Sequence, residues 1–221
     1  MLMIAGLFGM FFLGVLYLQR VLGFGALETG LAFLPVAVLI ATLSLGVSAR
    51  LTTRFGARAT LLPGLTLIVA GLALFGRAPV DGSYASDVVP VMVLIGVGAG
   101  LSFPSMTTLA MSGATPSDSG LASGLINTSL QVGGAVGLAV LATLATARTD
   151  ALLAAGEAPA SALTGGYHLA FLMAAGIVAA SVALALVVLG SRSPHAAGQE
   201  APADEPAAVQ PAYSERRRPP G

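Results

Sequence analysis

The 221-residue sequence has no cysteine, no lysine and no tryptophan, and only 9% of it is charged. Without cysteine there is no disulfide framework, no thiolate metal site and no cysteine nucleophile. An ordinary soluble domain carries roughly 25% charged residues, so a charge content this low excludes a conventional soluble enzyme. Ten arginines balance ten acids. That zero net charge supplies no basic surface for nucleic acid and no acidic surface for cationic partners. No metal-ligand cluster and no cofactor-binding pattern is read from the remaining polar residues, and no catalytic residue is assigned. Arginine without lysine, amid abundant Ala and Gly, points to a GC-rich bacterial genome.

What the chain does have is apolar length: 56% of its residues are hydrophobic. Residues 1–19, 29–48, 60–76, 88–112, 120–147 and 166–190 contain no Asp, Glu, Lys or Arg. An apolar run of about 17–25 residues crosses a hydrocarbon core of roughly 30 Å, so six transmembrane helices are expected, forming an all-α, multi-pass bundle within residues 1–190. Short connections force neighbouring helices to run antiparallel. The connection from Ala49 to Ala59 carries Arg50, Arg54 and Arg58 without one acid, which places it in the cytoplasm. With six spans, both ends of this chain are then cytoplasmic.

Two ends of the sequence read differently from the middle. Residues 191–221 hold eight of the twenty charges and six of the thirteen prolines, the composition of a disordered cytoplasmic tail. Its Arg216-Arg217-Arg218 run is read as solvated. Met1 leads directly into an apolar run with no cationic segment before it, unlike a secretory signal peptide. The chain is expected to begin inside or at the edge of its first helix, as a fragment whose amino-terminal half lies upstream.

Several local patterns carry chemical meaning. Gly96-Val97-Gly98-Ala99-Gly100 superficially suggests a dinucleotide loop, but it sits in an uncharged apolar helix without the strand and turn that such a loop needs. Gly96, Gly100, Pro104, Thr108 and Ser112 recur every fourth residue. This puts small or kinking residues on one helix face, where another backbone can approach and Pro104 can bend the helix. Gly120, Gly124, Asn127, Gln131 and Gly134 form a similar stripe. Amides are unfavourable in hydrocarbon unless they find partners or a water-filled cavity, and both readings of Asn127 and Gln131 stay open. Tyr17 and Gln19 close the first uncharged run; Tyr167 and His168 open the last, and are read as interfacial anchors. A Ser–His protease pair is excluded, because Ser123 and His168 fall on opposite sides of the membrane.

Ala49-Arg50-Leu51-Thr52-Thr53-Arg54-Phe55-Gly56-Ala57-Arg58 resembles the loop signature of the major facilitator superfamily, keeping Leu51, Arg54, Gly56 and Arg58 but carrying Thr53 where the family has Asp. Leu16-Tyr17-Leu18-Gln19, Thr29 to Pro35, Gly98 to Pro104, Gly120 to Ser129 and Gln131-Val132-Gly133-Gly134 resemble, in order, the carboxy-terminal half of fourteen-span drug:proton antiporters of the EmrB/QacA type. The resemblance implies one of two six-helix bundles that rock around a central cavity, exporting amphipathic small molecules in exchange for protons. The implied partners are the substrate, protons, the bilayer and the missing amino-terminal bundle, with no cofactor and no nucleic acid. Tyr17, Gln19, Asn127 and Gln131 are the candidate cavity residues; Arg54, Gly56 and Arg58 form the conformational-switch loop. Pro35, Gly96, Gly100, Pro104, Gly120 and Gly124 provide kinks and close packing. No uncharged run holds a carboxylate, so the coupling proton is expected to use residues elsewhere. The alternative reading is a self-contained six-span protein that dimerises as a structural or channel component.

Overall fold

The computed structural model describes residues 1–115 and 117–190; the tail reading for 191–221 lies outside the described residues. The architecture is all-α. Among the described residues six helices are long and apolar enough to cross a membrane: α1 (Leu2–Arg20), α2 (Ala26–Phe55), α3 (Ala57–Phe75), α4 (Tyr84–Met111), α5 (Ser119–Ala154) and α6 (Pro159–Val188). They alternate in direction, so residues near Arg20, Phe75, Tyr84 and Ala154 share one end of the bundle. Met1, Phe55, Met111 and Ser119 share the other.

The helices run past the uncharged runs, for local reasons. Nothing between Ser48 and Phe55 stops a helix, so Arg50 and Arg54 are helical, and the chain breaks only at Gly56, whose φ of 88° suits glycine. Ala147 to Ala154 likewise continue α5 through Arg148 and Asp150, until Gly156 takes φ 85° and Pro159 opens α6. At 36 residues α5 is about 54 Å long, well over the roughly 30 Å of hydrocarbon.

Helix α1 packs on α5 and α6, α3 packs on α4 and α6, and α2 lies along α4. Glycines set the close crossings. A Cβ on Gly98 would sit 2.6 Å from the Gly64 carbonyl oxygen, and one on Gly64 would sit 2.8 Å from that of Gly98, so α3 and α4 cross backbone to backbone. Gly137 admits Ala5 of α1, and Gly166 admits the Ala145 carbonyl of α5 in the same manner. Such approaches replace the hydrophobic effect, which does not drive helices together in lipid.

The aromatic centre lies toward the Arg20 end. Phe75 stacks on Phe171 with centroids 4.3 Å apart, and Tyr17 meets Phe75 edge-on at 5.5 Å. From there two side chains tie down the α3–α4 connection. The Tyr17 hydroxyl donates to the Pro79 carbonyl at 2.7 Å, and His168 Nε2 meets the Ala78 carbonyl at 2.6 Å. Because α6 begins at Pro159, Tyr167 and His168 stand two turns inside the helix, not at its mouth as expected. Tyr167 is buried and His168 holds a loop, a packing role and not that of a lipid-facing anchor.

The Gly64–Gly98 crossing yields a direct test. Gly98→Leu should cost about 1–3 kcal/mol, lowering the melting temperature of the detergent-purified protein, whereas Gly176→Leu, at a position with no atom within 4 Å, should leave it unchanged.

Candidate functional site

Proline removes an N–H donor, so Pro104 leaves the Gly100 carbonyl without its helical partner. In the structure that carbonyl accepts a hydrogen bond from Ser44 Oγ of α2 at 3.2 Å. One turn further along, Ser48 Oγ donates to the Leu101 carbonyl at 3.2 Å, and the Thr52 and Ser105 hydroxyls meet at 3.3 Å. A ladder of α2 hydroxyls therefore follows the bend of α4.

The small residues of α4 let α2 come this close. A Cβ on Gly96 would fall 2.8 Å from Leu39 Cβ, and one on Gly100 the same distance from Leu43 Cβ. Helix α2 is irregular at two places on this contact. It turns at Phe33, with Pro35 in the first turn of the following segment, where the Tyr84 hydroxyl donates to the Ala32 carbonyl at 2.9 Å. It also widens to a π-turn over Leu43–Val47, directly beside Gly100. Mid-helix π-turns and prolines are the usual sites of bending, and here they face one another across one seam.

On α5 the stripe behaves differently at its two ends. Gly133, Gly134 and Gly137 are buried against Met1, Phe8 and Ala5 of α1. By contrast, Gly120 and Gly124 have no atom within 4 Å of a built Cβ, so the close packing expected of them finds no partner among the described residues. Asn127 and Gln131 are exposed between these two regions. The Phe8 ring lies 3.0 Å from the Cβ position of Gly134, three residues along the same face, and Phe8 and Phe12 are themselves 48% and 47% exposed. The result is an open face with two amides and two phenyl rings across the α1–α5 seam.

The four cavity candidates do not converge. Only Asn127 and Gln131 lie together. Gln19 is exposed at the Arg20 end of α1, whereas Asn127 and Gln131 belong to the half of α5 nearer Ser119. Tyr17 is 1% exposed and committed to Pro79. Phe8, Phe12 and Ser44 were missed in the sequence reading. The signal for Phe8 and Phe12 was their i, i+4 spacing opposite a glycine-bearing stripe; for Ser44 it was a hydroxyl on the helix that must serve the Gly100 carbonyl.

In the segment that the sequence suggests as a switch, Arg54 and Arg58 are exposed on either side of the Gly56 break. The Arg54 guanidinium lies 5.3 Å from the Phe55 ring centroid, and the Thr53 hydroxyl donates to the Arg50 carbonyl at 3.0 Å. Thr53 thus turns back onto its own helix, at the position where an acid could have reached outward.

A membrane-length helical bundle with two bent helices on one seam and an open amide–aromatic face on another is the architecture of a multi-pass membrane transporter domain. The Major Facilitator Superfamily profile matches residues 1–138, and the chain belongs to that superfamily. It is 37% identical over 195 residues to the puromycin resistance protein of Streptomyces alboniger, covering 85% of this chain and 39% of that protein. It is 37% identical over 134 residues to the cephamycin export protein CmcT of Amycolatopsis lactamdurans, covering 61% of this chain and 27% of that protein. Over 146 residues it is 32% identical to the multidrug resistance protein Stp of Mycobacterium tuberculosis, covering 66% and 27% respectively. The chain therefore spans well under half the length of these relatives.

If Ser44 serves the carbonyl that Pro104 frees, the two positions are coupled. Ser44→Ala should cost about 1 kcal/mol in the native background and markedly less with Pro104→Ala, which restores the helical donor. A double-mutant cycle on thermal stability measures the difference, and additive effects would contradict the assignment.

Proposed function

We propose that this chain is one six-helix bundle of an exporter that moves amphipathic small molecules out of the cell in exchange for protons. The observation that carries the reading is the open face of Asn127, Gln131, Phe8 and Phe12. Two exposed amides in membrane-length helix are unfavourable against hydrocarbon, but favourable in a wet cavity whose aromatic wall takes a greasy substrate. The names of the relatives, which speak of antibiotic resistance and export, support the same direction of transport.

The remaining uncovered surface supports a complementary bundle. Leu31 and Leu45 of α2 are 54% and 86% exposed, and Leu121 and Leu125 of α5 are 77% and 66% exposed. Cβ atoms built on Gly30, Gly46, Gly120 and Gly124 meet no atom within 4 Å among the described residues. Exposed glycines on two helices of one bundle suit close backbone approach by other helices better than they suit lipid. In this arrangement the Met1 end, with Arg50, Arg54 and Arg58, faces the cytoplasm, so both ends of this chain lie there. The Arg54–Gly56–Arg58 segment works as a switch against the complementary half, and Pro35, Pro104 and the π-turn of α2 absorb the bending. Residues 1–190 act as the bundle, in the fourteen-span arrangement of EmrB/QacA-type antiporters. The carboxylates within the long helices, Glu28, Asp87 and Asp150, all lie at the Arg20 end, so the complementary half supplies the main proton-carrying group.

Asn127→Leu combined with Gln131→Leu, in the protein at its natural length, should reduce efflux of a fluorescent amphipathic dye at least several-fold without lowering membrane abundance. Efflux should also collapse with a protonophore while ATP is held constant. Unchanged efflux in the double variant removes these amides from the pathway, and insensitivity to the protonophore removes the proton.

A further inference from the structure

A second cavity, of about 220 Å³, lies between α1, α5 and α6 at the Arg20 end, away from Asn127 and Gln131. Its polar wall comes from three helices. Thr146, Thr149 and Asp150 stand at i, i+3 and i+4 on α5, hence on one face; Arg20 ends α1; and Tyr167 comes from α6. The opposite wall includes Phe12 and Leu16, which precede Arg20 by eight and four residues and share its side of α1.

Three features distinguish this cavity from an ordinary packing gap. Tyr167 is 4% exposed and its hydroxyl has no close hydrogen-bond partner among the described residues, a costly state for a buried polar group. Arg20 reaches that hydroxyl only as a loose contact. Arg20 and Asp150 border the same space with opposite charges, yet they form no ion pair with each other among the described residues. Two unlike charges that are not paired with each other, above an apolar floor and beside a loosely held hydroxyl, match a ligand that carries both signs on a short carbon body. A lone anion would face Asp150, and a lone cation would face Arg20.

We propose that this cavity binds a small amphipathic zwitterion, with its anionic group on Arg20, its ammonium on Asp150 and its carbon body against Phe12 and Leu16. The guanidinium offers the two-pronged geometry that suits a carboxylate or phosphate, and the Tyr167 hydroxyl gains a close partner. The site is built inside one bundle and shares only the Phe12 ring with the open face, whose amides Asn127 and Gln131 lie outside it.

The test is calorimetric binding to the purified protein at its natural length in lipid nanodiscs, with three probes of the same carbon skeleton: L-phenylalanine, phenethylamine and 3-phenylpropionate. L-Phenylalanine should bind saturably and each single-charge analogue at least tenfold more weakly. Arg20→Gln should abolish the preference over phenethylamine, Asp150→Asn the preference over 3-phenylpropionate, and Tyr167→Phe should weaken L-phenylalanine several-fold without changing the order. Ala142→Leu, which fills the cavity and keeps both charges, should remove binding at an unchanged melting temperature. Absence of saturable L-phenylalanine binding, equal binding of all three probes, or preferences that survive both charge variants would each overturn the proposal. Since the readout is binding, none of these results bears on efflux through the open face.

Discussion

Inside hydrocarbon, a backbone carbonyl released from its helix has no water to turn to, so every irregularity must bring its own donor. Five carbonyls at irregular points of this bundle have such a donor on another helix. Ser44 serves Gly100, Ser48 serves Leu101, Tyr84 serves Ala32, Tyr17 serves Pro79 and His168 faces Ala78. These bonds tie neighbouring helices at the bend of α4, at the turn of α2 and in the α3–α4 connection. The glycine crossings supply the proximity that makes them reachable. A larger residue at Gly96 or Gly100 would push α2 outward and strand the Gly100 carbonyl.

The same constraint separates the two seams of the molecule. Between α2 and α4 the polar groups are paired, so that contact can change shape by exchanging one hydroxyl–carbonyl bond for another. Between α1 and α5 the glycines bury apolar side chains and leave the amides outside, so polarity there is turned outward. A bundle of this kind has close backbone contacts between α3 and α4 and between α1 and α5, and its irregular turns lie along α2.

Much of the architecture was legible because charge exclusion from hydrocarbon is a strong filter: six uncharged runs correspond to six helices. Helix ends were less legible, since Arg50, Arg54, Arg148 and Asp150 are all good enough helix residues to continue a turn beyond the apolar region. Gly56 and Gly156, which alone could reverse the backbone sign there, were better markers than the charges. At the candidate site, the Gly96 and Gly100 stripe is a true meeting line of helices, whereas the Gly120 and Gly124 stripe meets nothing among the described residues. Periodicity states that residues share a face and says nothing of what lies opposite. Tyr17 shows the limit for a single residue, because a tyrosine at the end of an apolar run has the same pattern whether it faces a cavity or, as here, clasps a loop.

The π-turn in α2 carries a further geometric consequence. The Ser48 amide bonds back five residues to the Leu43 carbonyl, so one extra residue is accommodated in that turn, and each residue of an α-helix corresponds to about 100° of rotation. The segment from Ser48 to Phe55 is therefore out of phase with the segment from Leu34 to Thr42. A helical wheel drawn through both would assign Arg50 and Arg54 to the wrong azimuth relative to Leu34 and Val38. The bulge acts as a phase shifter: it lets one continuous helix keep its leucines toward one surroundings within the membrane while turning its arginines toward another at the rim.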